Sequence, residues 1–188
     1  MKRNITLGDT LDPINAVLYD DNDNPIDLSS PTVKFAIEDD SGTEILAETD
    51  TGIVKQPTQT FTASATTDLL TCNGHGVKPG DQIIVANSGG ALPTGLSGTP
   101  TRYYAVQVTP NAFGLATLPD GIPVDITGAG SGTNTFFVVG SVQMDLASTE
   151  VDTAGNYRGW FVRSSGSEKW HHPNGNDFIR LAISARGN

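Results

Sequence analysis

The sequence predicts an all-β protein, a β-sandwich interrupted by a second, small β-rich domain that is barrel- or sandwich-like. Three observations predict it. Apolar and polar residues alternate over short runs, the period of a strand with one buried face. Turn-forming residues are frequent, with 21 Gly and 11 Pro in 188 residues, and no G-x-y period assigns them to a collagen helix. No run has the apolar period of an amphipathic helix; only Asp27–Ser30 and Ser148–Glu150 offer room for a helical turn.

Taken in order, Asn15 to Tyr19 places Ala16 and Leu18 on one face, and Val33, Phe35 and Ile37 alternate with Lys34, Ala36 and Glu38. Phe61–Ala65, Leu69–Cys72, Asp81–Ala86, Tyr103–Val108, Phe113–Leu118 and Thr135–Val139 are short and β-biased. Val142, Met144 and Leu146 alternate with Gln143 and Asp145, Tyr157–Arg163 carries Tyr157, Trp160, Phe161 and Val162, and Ile179, Leu181 and Ile183 alternate with Arg180, Ala182 and Ser184. Turn signals separate these runs: Asp20–Pro25, Ser41-Gly42, Val77-Lys78-Pro79-Gly80-Asp81, Ala154-Gly155-Asn156, Ser165-Gly166-Ser167 and Pro173-Asn174-Gly175-Asn176. Gly128–Gly132 reads as a flexible or bulged connection.

The charge divides the chain. Residues 56–140 hold only Asp68, Lys78, Asp81, Arg102, Asp120 and Asp125, while the flanks hold 26 of the 32 charged side chains and −8 of the net −10. A host domain built from 1–55 plus 141–188, carrying an inserted β-domain at 56–140, accounts for that shift.

Composition excludes several function classes. The acidic balance, with no basic cluster beyond Lys2-Arg3, disfavours a phosphate-binding face and so nucleic acid. No apolar run approaches the length of a membrane span, and the N-terminus alternates instead of forming an apolar signal region, so neither membrane insertion nor secretion is expected. The single cysteine excludes a disulfide within the chain. Cys72 reads as a buried thiol; a nucleophilic reading would need His75, three residues on, which is not how Cys–His pairs are normally assembled.

No catalytic, cofactor-binding or metal-ligating residue is nominated. Asp20-Asp21-Asn22-Asp23-Asn24 has oxygen ligands for a cation, but positions 6 and 12 of an EF-hand loop fall on Pro25 and Pro31 counted from Asp20, or Ile26 and Thr32 from Asp21, so it reads as a hairpin turn. His75 lies in a turn context. There is no G-x-S-x-G elbow, and Gly128–Gly132 lacks the Lys and helix of a phosphate loop. Trp170-His171-His172-Pro173 reads as a turn with an aromatic anchor, its adjacent histidines facing opposite ways, and a sharper reading makes Trp170, His171 and His172 partner contacts. Tyr103 and Tyr104, with Trp160 and Trp170, are the aromatic platforms a glycan would need.

Leu18-Tyr19-Asp20-Asp21, then Asn24-Pro25-Ile26-Asp27-Leu28-Ser29 and Pro31–Phe35, together with Asp152–Tyr157, Trp160-Phe161-Val162, Pro173 and Ile179–Ile183, resemble the N-terminal Ig-like domain of phage baseplate upper proteins. In the middle, Gly74–Val77, Pro79–Asp81, Leu92–Leu96, Tyr103–Val106, Phe113–Ala116 and Gly128–Thr133 resemble a β-module repeated in phage tail and fibre proteins. The resemblance implies an Ig-like sandwich and a structural virion protein, assembled in the host cytoplasm, that docks on other virion proteins as a homo-oligomer in a symmetric assembly. In the family the Ig-like part is generally unbroken and followed by fibre or receptor-binding domains. Its interruption here, with no coiled coil or stalk, favours a tail, baseplate or fibre adaptor. The alternative is a module on the particle surface that binds host glycan or decorates the capsid.

Overall fold

The computed structural model describes residues 2–6, 13–147, 153–173 and 179–184. The protein is all-β, with no helix among those residues. Asp27–Ser30 is an irregular bend in which the Ser29 N–H donates to Asp27 Oδ1 at 2.9 Å, and Ser148–Glu150 lies outside the described residues.

The chain divides into two compact units, residues 1–55 with 140–188 and residues 56–139. The first contains β1 (Lys2–Thr6), β2 (Ile14–Val17), β3 (Thr32–Asp39), β4 (Glu44–Thr49) and β5 (Ile53–Lys55). The second contains β6 (Gln59–Ser64), β7 (Leu69–Thr71), β8 (Gln82–Ser88), β9 (Tyr103–Val106), β10 (Ala112–Ala116) and β11 (Thr133–Val138). The chain then returns to the first unit as β12 (Ser141–Met144), β13 (Gly155–Ser165), β14 (Glu168–His172) and β15 (Ile179–Ser184).

The first unit is a sandwich. One sheet runs β1-β15-β13-β3-β4, with β14 also paired to β13, and the other runs β2-β12-β5. Inward residues of both sheets form one core, including Ile14, Phe35, Ile37, Val142, Met144, Phe161 and Leu181. Lettered as in a variable immunoglobulin domain, the sheets are G-F-C-C′ and B-E-D, and β1 adds in parallel along G. The second unit replaces the D–E connection. Because β5 and β12 are antiparallel neighbours, with Lys55 opposite Val142, the chain leaves and re-enters the sandwich on adjacent strands.

The immunoglobulin likeness extends to the corner before strand F. The Tyr157 hydroxyl donates to the Thr153 carbonyl at 2.7 Å, the backward bond of a tyrosine corner. In antibody domains a disulfide cysteine follows two residues later; here that position is Gly159. A Cβ on Gly159 would lie 2.6 Å from Cζ of Phe35, so the Phe35 ring occupies the vacant side-chain space and packs on Phe161 at 4.8 Å between centroids.

The second unit is a closed six-stranded barrel, β10-β7-β6-β11-β8-β9, which leaves none of its strands as a free edge. Phe61, Phe136 and Phe113 stack in sequence through its interior, at 6.2 and 5.0 Å. His75, read from the sequence as part of a turn, ends this row 4.9 Å from Phe113 and is 4% exposed. Its Nδ1 accepts the Val77 N–H at 3.0 Å, which places the ring proton on Nε2, 2.8 Å from the Thr109 carbonyl. The Gly128–Gly132 connection is pinned: Thr94 pairs with Gly128, the Ser131 N–H donates to Ala91 O at 2.8 Å, and Asn87 Nδ2 reaches Ser131 O at 2.6 Å. Gly130, at φ +75°, is required there, since a Cβ would meet Ala91 O at 2.6 Å.

Gly159→Ala forces the Phe35 ring out of its place, at an expected cost of about 1–3 kcal/mol, the usual range for overpacking. Urea unfolding measures it, and adding Phe35→Leu to the Gly159→Ala variant should cost less than Phe35→Leu alone. A Gly159→Ala loss below about 0.5 kcal/mol, within the scatter of neutral surface changes, contradicts this packing.

Candidate functional site

The residues singled out as partner contacts fall in two places. Trp170, His171 and His172 lie on β14, which is a strand and not the aromatic-anchored turn expected from Trp-His-His-Pro. A two-residue connection, Gly166-Ser167, with Gly166 at φ +61°, joins β13 to β14 in the manner of a type II′ hairpin. That turn fixes the register: Phe161 faces His172, Val162 faces His171, and Arg163 faces Trp170.

Strand alternation then sends the histidines to opposite faces. His171 is exposed and meets Trp160 edge-on at 6.4 Å. His172 is on the side of Phe161, 6% exposed, and its buried Nε2 has no hydrogen-bond partner among the described residues. The Arg163 guanidinium lies 3.8 Å over the Trp170 ring, a cross-strand cation–π pair that covers one face of the indole. Lys169 holds Glu48 of β4 at 2.8 Å, and this bond keeps the Glu48 carboxyl below its ordinary value. The Trp160–His171 contact and the Arg163–Trp170 stack were not legible in the sequence, because both depend on the hairpin register.

Tyr103 and Tyr104 lie on β9 of the barrel. Tyr103 is 3% exposed and its hydroxyl accepts the Ser97 N–H at 2.8 Å, so its ring is a core element and not a contact surface. Tyr104 is half-buried. Two exposed apolar residues not singled out as contacts, Leu118 (68%), beyond the end of β10 although the Phe113–Leu118 run included it, and Ile122 (89%), flank the Pro119-Asp120-Gly121 turn, in which the Gly121 N–H donates to Leu118 O at 3.1 Å.

Cys72 and His75 do not form a nucleophilic pair. The Cys72 thiol donates to Gln59 Oε1 at 3.3 Å and burial raises its pKa, away from the thiolate form, while both ring nitrogens of His75 are engaged by backbone. The acidic turn is occupied with its own backbone: Asp20 Oδ1 accepts the N–H groups of Asn22 at 2.9 Å and Asn24 at 2.8 Å. The Asn24 bond is the main reason its pKa is lowered. Among the described residues no group of three or more His, Cys, Asp or Glu side chains is arranged to hold a metal ion. Compared with known protein families, curated proteins and solved structures, the chain matches none.

Burial holds the His172 pKa below the ordinary value of 6.5, and Arg163 and His171 push the same way against the opposing charge of Asp21. The unfolded chain therefore takes up this proton more readily. The stability from keeping His172 neutral is complete above about pH 6.5 and is lost as the pH falls toward the folded-state value. Denaturant titrations across that range should show wild type losing stability relative to His172→Leu, by up to about 1.4 kcal/mol per pH unit. Parallel curves would refute the assignment.

Proposed function

We propose that the chain is a structural subunit of a bacteriophage particle, a tail, baseplate or fibre adaptor. Its Ig-like sandwich docks on other virion proteins and its barrel is the projected module. The observation that carries this reading is the mode of insertion. The barrel enters through the D–E connection on adjacent strands, so the sandwich keeps both sheets, its tyrosine corner and its core. The sandwich is thus a self-sufficient docking platform, as an adaptor requires.

The two units bring different surfaces to that role. The sandwich segments carry most of the charge, whereas residues 56–140 carry four acids and two bases. Contacts through the sandwich are therefore expected to weaken with salt, and contacts through the barrel to be largely indifferent to it. The exposed Leu118–Ile122 turn suits the second kind of contact. A glycan-binding role needs an aromatic face open to a sugar. Burial of Tyr103 and the Arg163 stack on Trp170 narrow the candidates for that face to Trp160 and Tyr104.

Antibodies raised against residues 56–139 should label particles purified from the phage that encodes the chain at one symmetric position. Wash-off of the subunit should rise with salt for Arg163→Glu no less than for wild type. Particles that lack the chain while it accumulates free in the lysate would exclude the virion role.

A further inference from the structure

The strongest unassigned feature is a cleft of about 400 Å³ on the sandwich, lined by Asp40, Asn156, Tyr157, Arg158, Arg180 and strand β15. Its volume lies within the range of small ligand sites. It runs against the charge of the unit that carries it. Arg158 of β13 and Arg180 of β15 are directly opposite each other in the antiparallel pair. Two arginines thus stand side by side in a chain with 11 Lys and Arg in total. Like charges directly opposite are unfavourable in a sheet unless something compensates them.

Arg158 is compensated within the protein. Its Nε lies 3.3 Å from Glu38 Oε1, and its Nη2 donates to the carbonyls of Asp39 and Asp40, both at 3.1 Å. Those bonds fix the guanidinium at the cleft wall. Arg180 is exposed and has no ion pair or hydrogen bond among the described residues. A fixed guanidinium beside a free one, with the Asn156 amide alongside, is a donor set suited to a planar carboxylate, which arginine binds in a fork. Asp40 in the lining, with Glu38 beside Arg158, disfavours a doubly charged phosphate more than a singly charged carboxylate.

We propose that this cleft binds a carboxylate side chain of an acidic protein segment, with Arg180 as the principal donor. The site stands on these residues alone and does not depend on the virion reading. It gives the acidic sandwich one face that seeks an acidic partner.

The probe is an N-acetylated, C-amidated pentaglutamate peptide, titrated into the full-length protein at about 100 mM salt, where the screening length is near 10 Å and the net charge of the chain is damped. Amide chemical shifts should move at Asn156, Arg158, Arg180 and Ala182. Arg180→Glu should weaken binding at least tenfold, and Asp40→Asn should strengthen it by removing a competing carboxylate. Both substitutions are on the surface, and an unchanged far-ultraviolet circular dichroism spectrum confirms the fold. Inorganic phosphate is the second arm. Binding of phosphate without pentaglutamate, peptide shifts elsewhere on the chain, or equal affinity in Arg180→Glu would each overturn the proposal.

Discussion

The sandwich depends on one steric fact, that the ring of Phe35 fills the space a side chain on Gly159 would occupy. In antibody domains the two sheets are held across this point by a disulfide with a tryptophan packed against it. Here there is one cysteine, and it lies in the barrel. The same central position is filled by an aromatic pair, Phe35 on Phe161, with the missing Cβ of Gly159 admitting the ring edge. The tyrosine corner two residues earlier fixes where β13 begins, and hence which residues of that strand face inward. From Tyr157 the inward set runs through Gly159 and Phe161 to Arg163, and the hairpin at Gly166-Ser167 transfers that alternation to Trp170 and His172. The placement of the contact candidates is therefore a consequence of the core.

The barrel relies on different devices, because closure removes edges but requires loops to cross its ends. His75 continues the interior aromatic row, a polar ring placed against Phe113 and satisfied at both nitrogens by backbone groups. Elsewhere the glycine-rich stretch packs against residues 88–94 so closely that backbone approaches backbone with no room for Cβ atoms. Glycine enrichment in this part of the sequence reflects that close approach more than flexibility.

Alternation identified the strands with one strongly apolar face: β3, β12, β13 and β15 all overlap runs read from the sequence, although β13 starts at Gly155, in a stretch read as a turn. It missed β4, β5 and β14, and β1 was not read as a strand although the N-terminus alternates. Two of these, β4 and β5, are the terminal strands of their sheets, and β14 pairs only with β13; their side chains are largely exposed or half-buried, so apolar periodicity is weak. Trp170-His171-His172-Pro173 looked like a loop for the same reason, and because Pro173 ends the strand. The drop in charge at residues 56 and 140 is local and countable, and the backbone divides the chain between 55 and 56 and between 139 and 140. That the inserted strands close into a barrel was not legible, since closure rests on the pairing of β6 with β11 and β9 with β10, and strands of this kind serve a sandwich equally well. Arg158 and Arg180 carry no signal in the sequence, 22 positions apart, and become neighbours only through the β13–β15 register.

The net charge of −10 is a poor guide to what the sandwich presents. Asp20 and Asp39 are bound to the N–H groups of their own turns, which lowers both pKa values and keeps the carboxylates directed at backbone. Glu48 is held by Lys169, and Glu38 by Arg158. These four acids stabilise hairpins and strand pairs, and two of them, Glu48 and Glu38, already have a cationic partner. Arg180 has none among the described residues. A sum over the sequence weights each charge equally, whereas recognition depends on charges left without partners at a concave surface. By that measure Arg180, at the cleft lined by β13 and β15, counts for more than its single share of the total charge of the acidic unit.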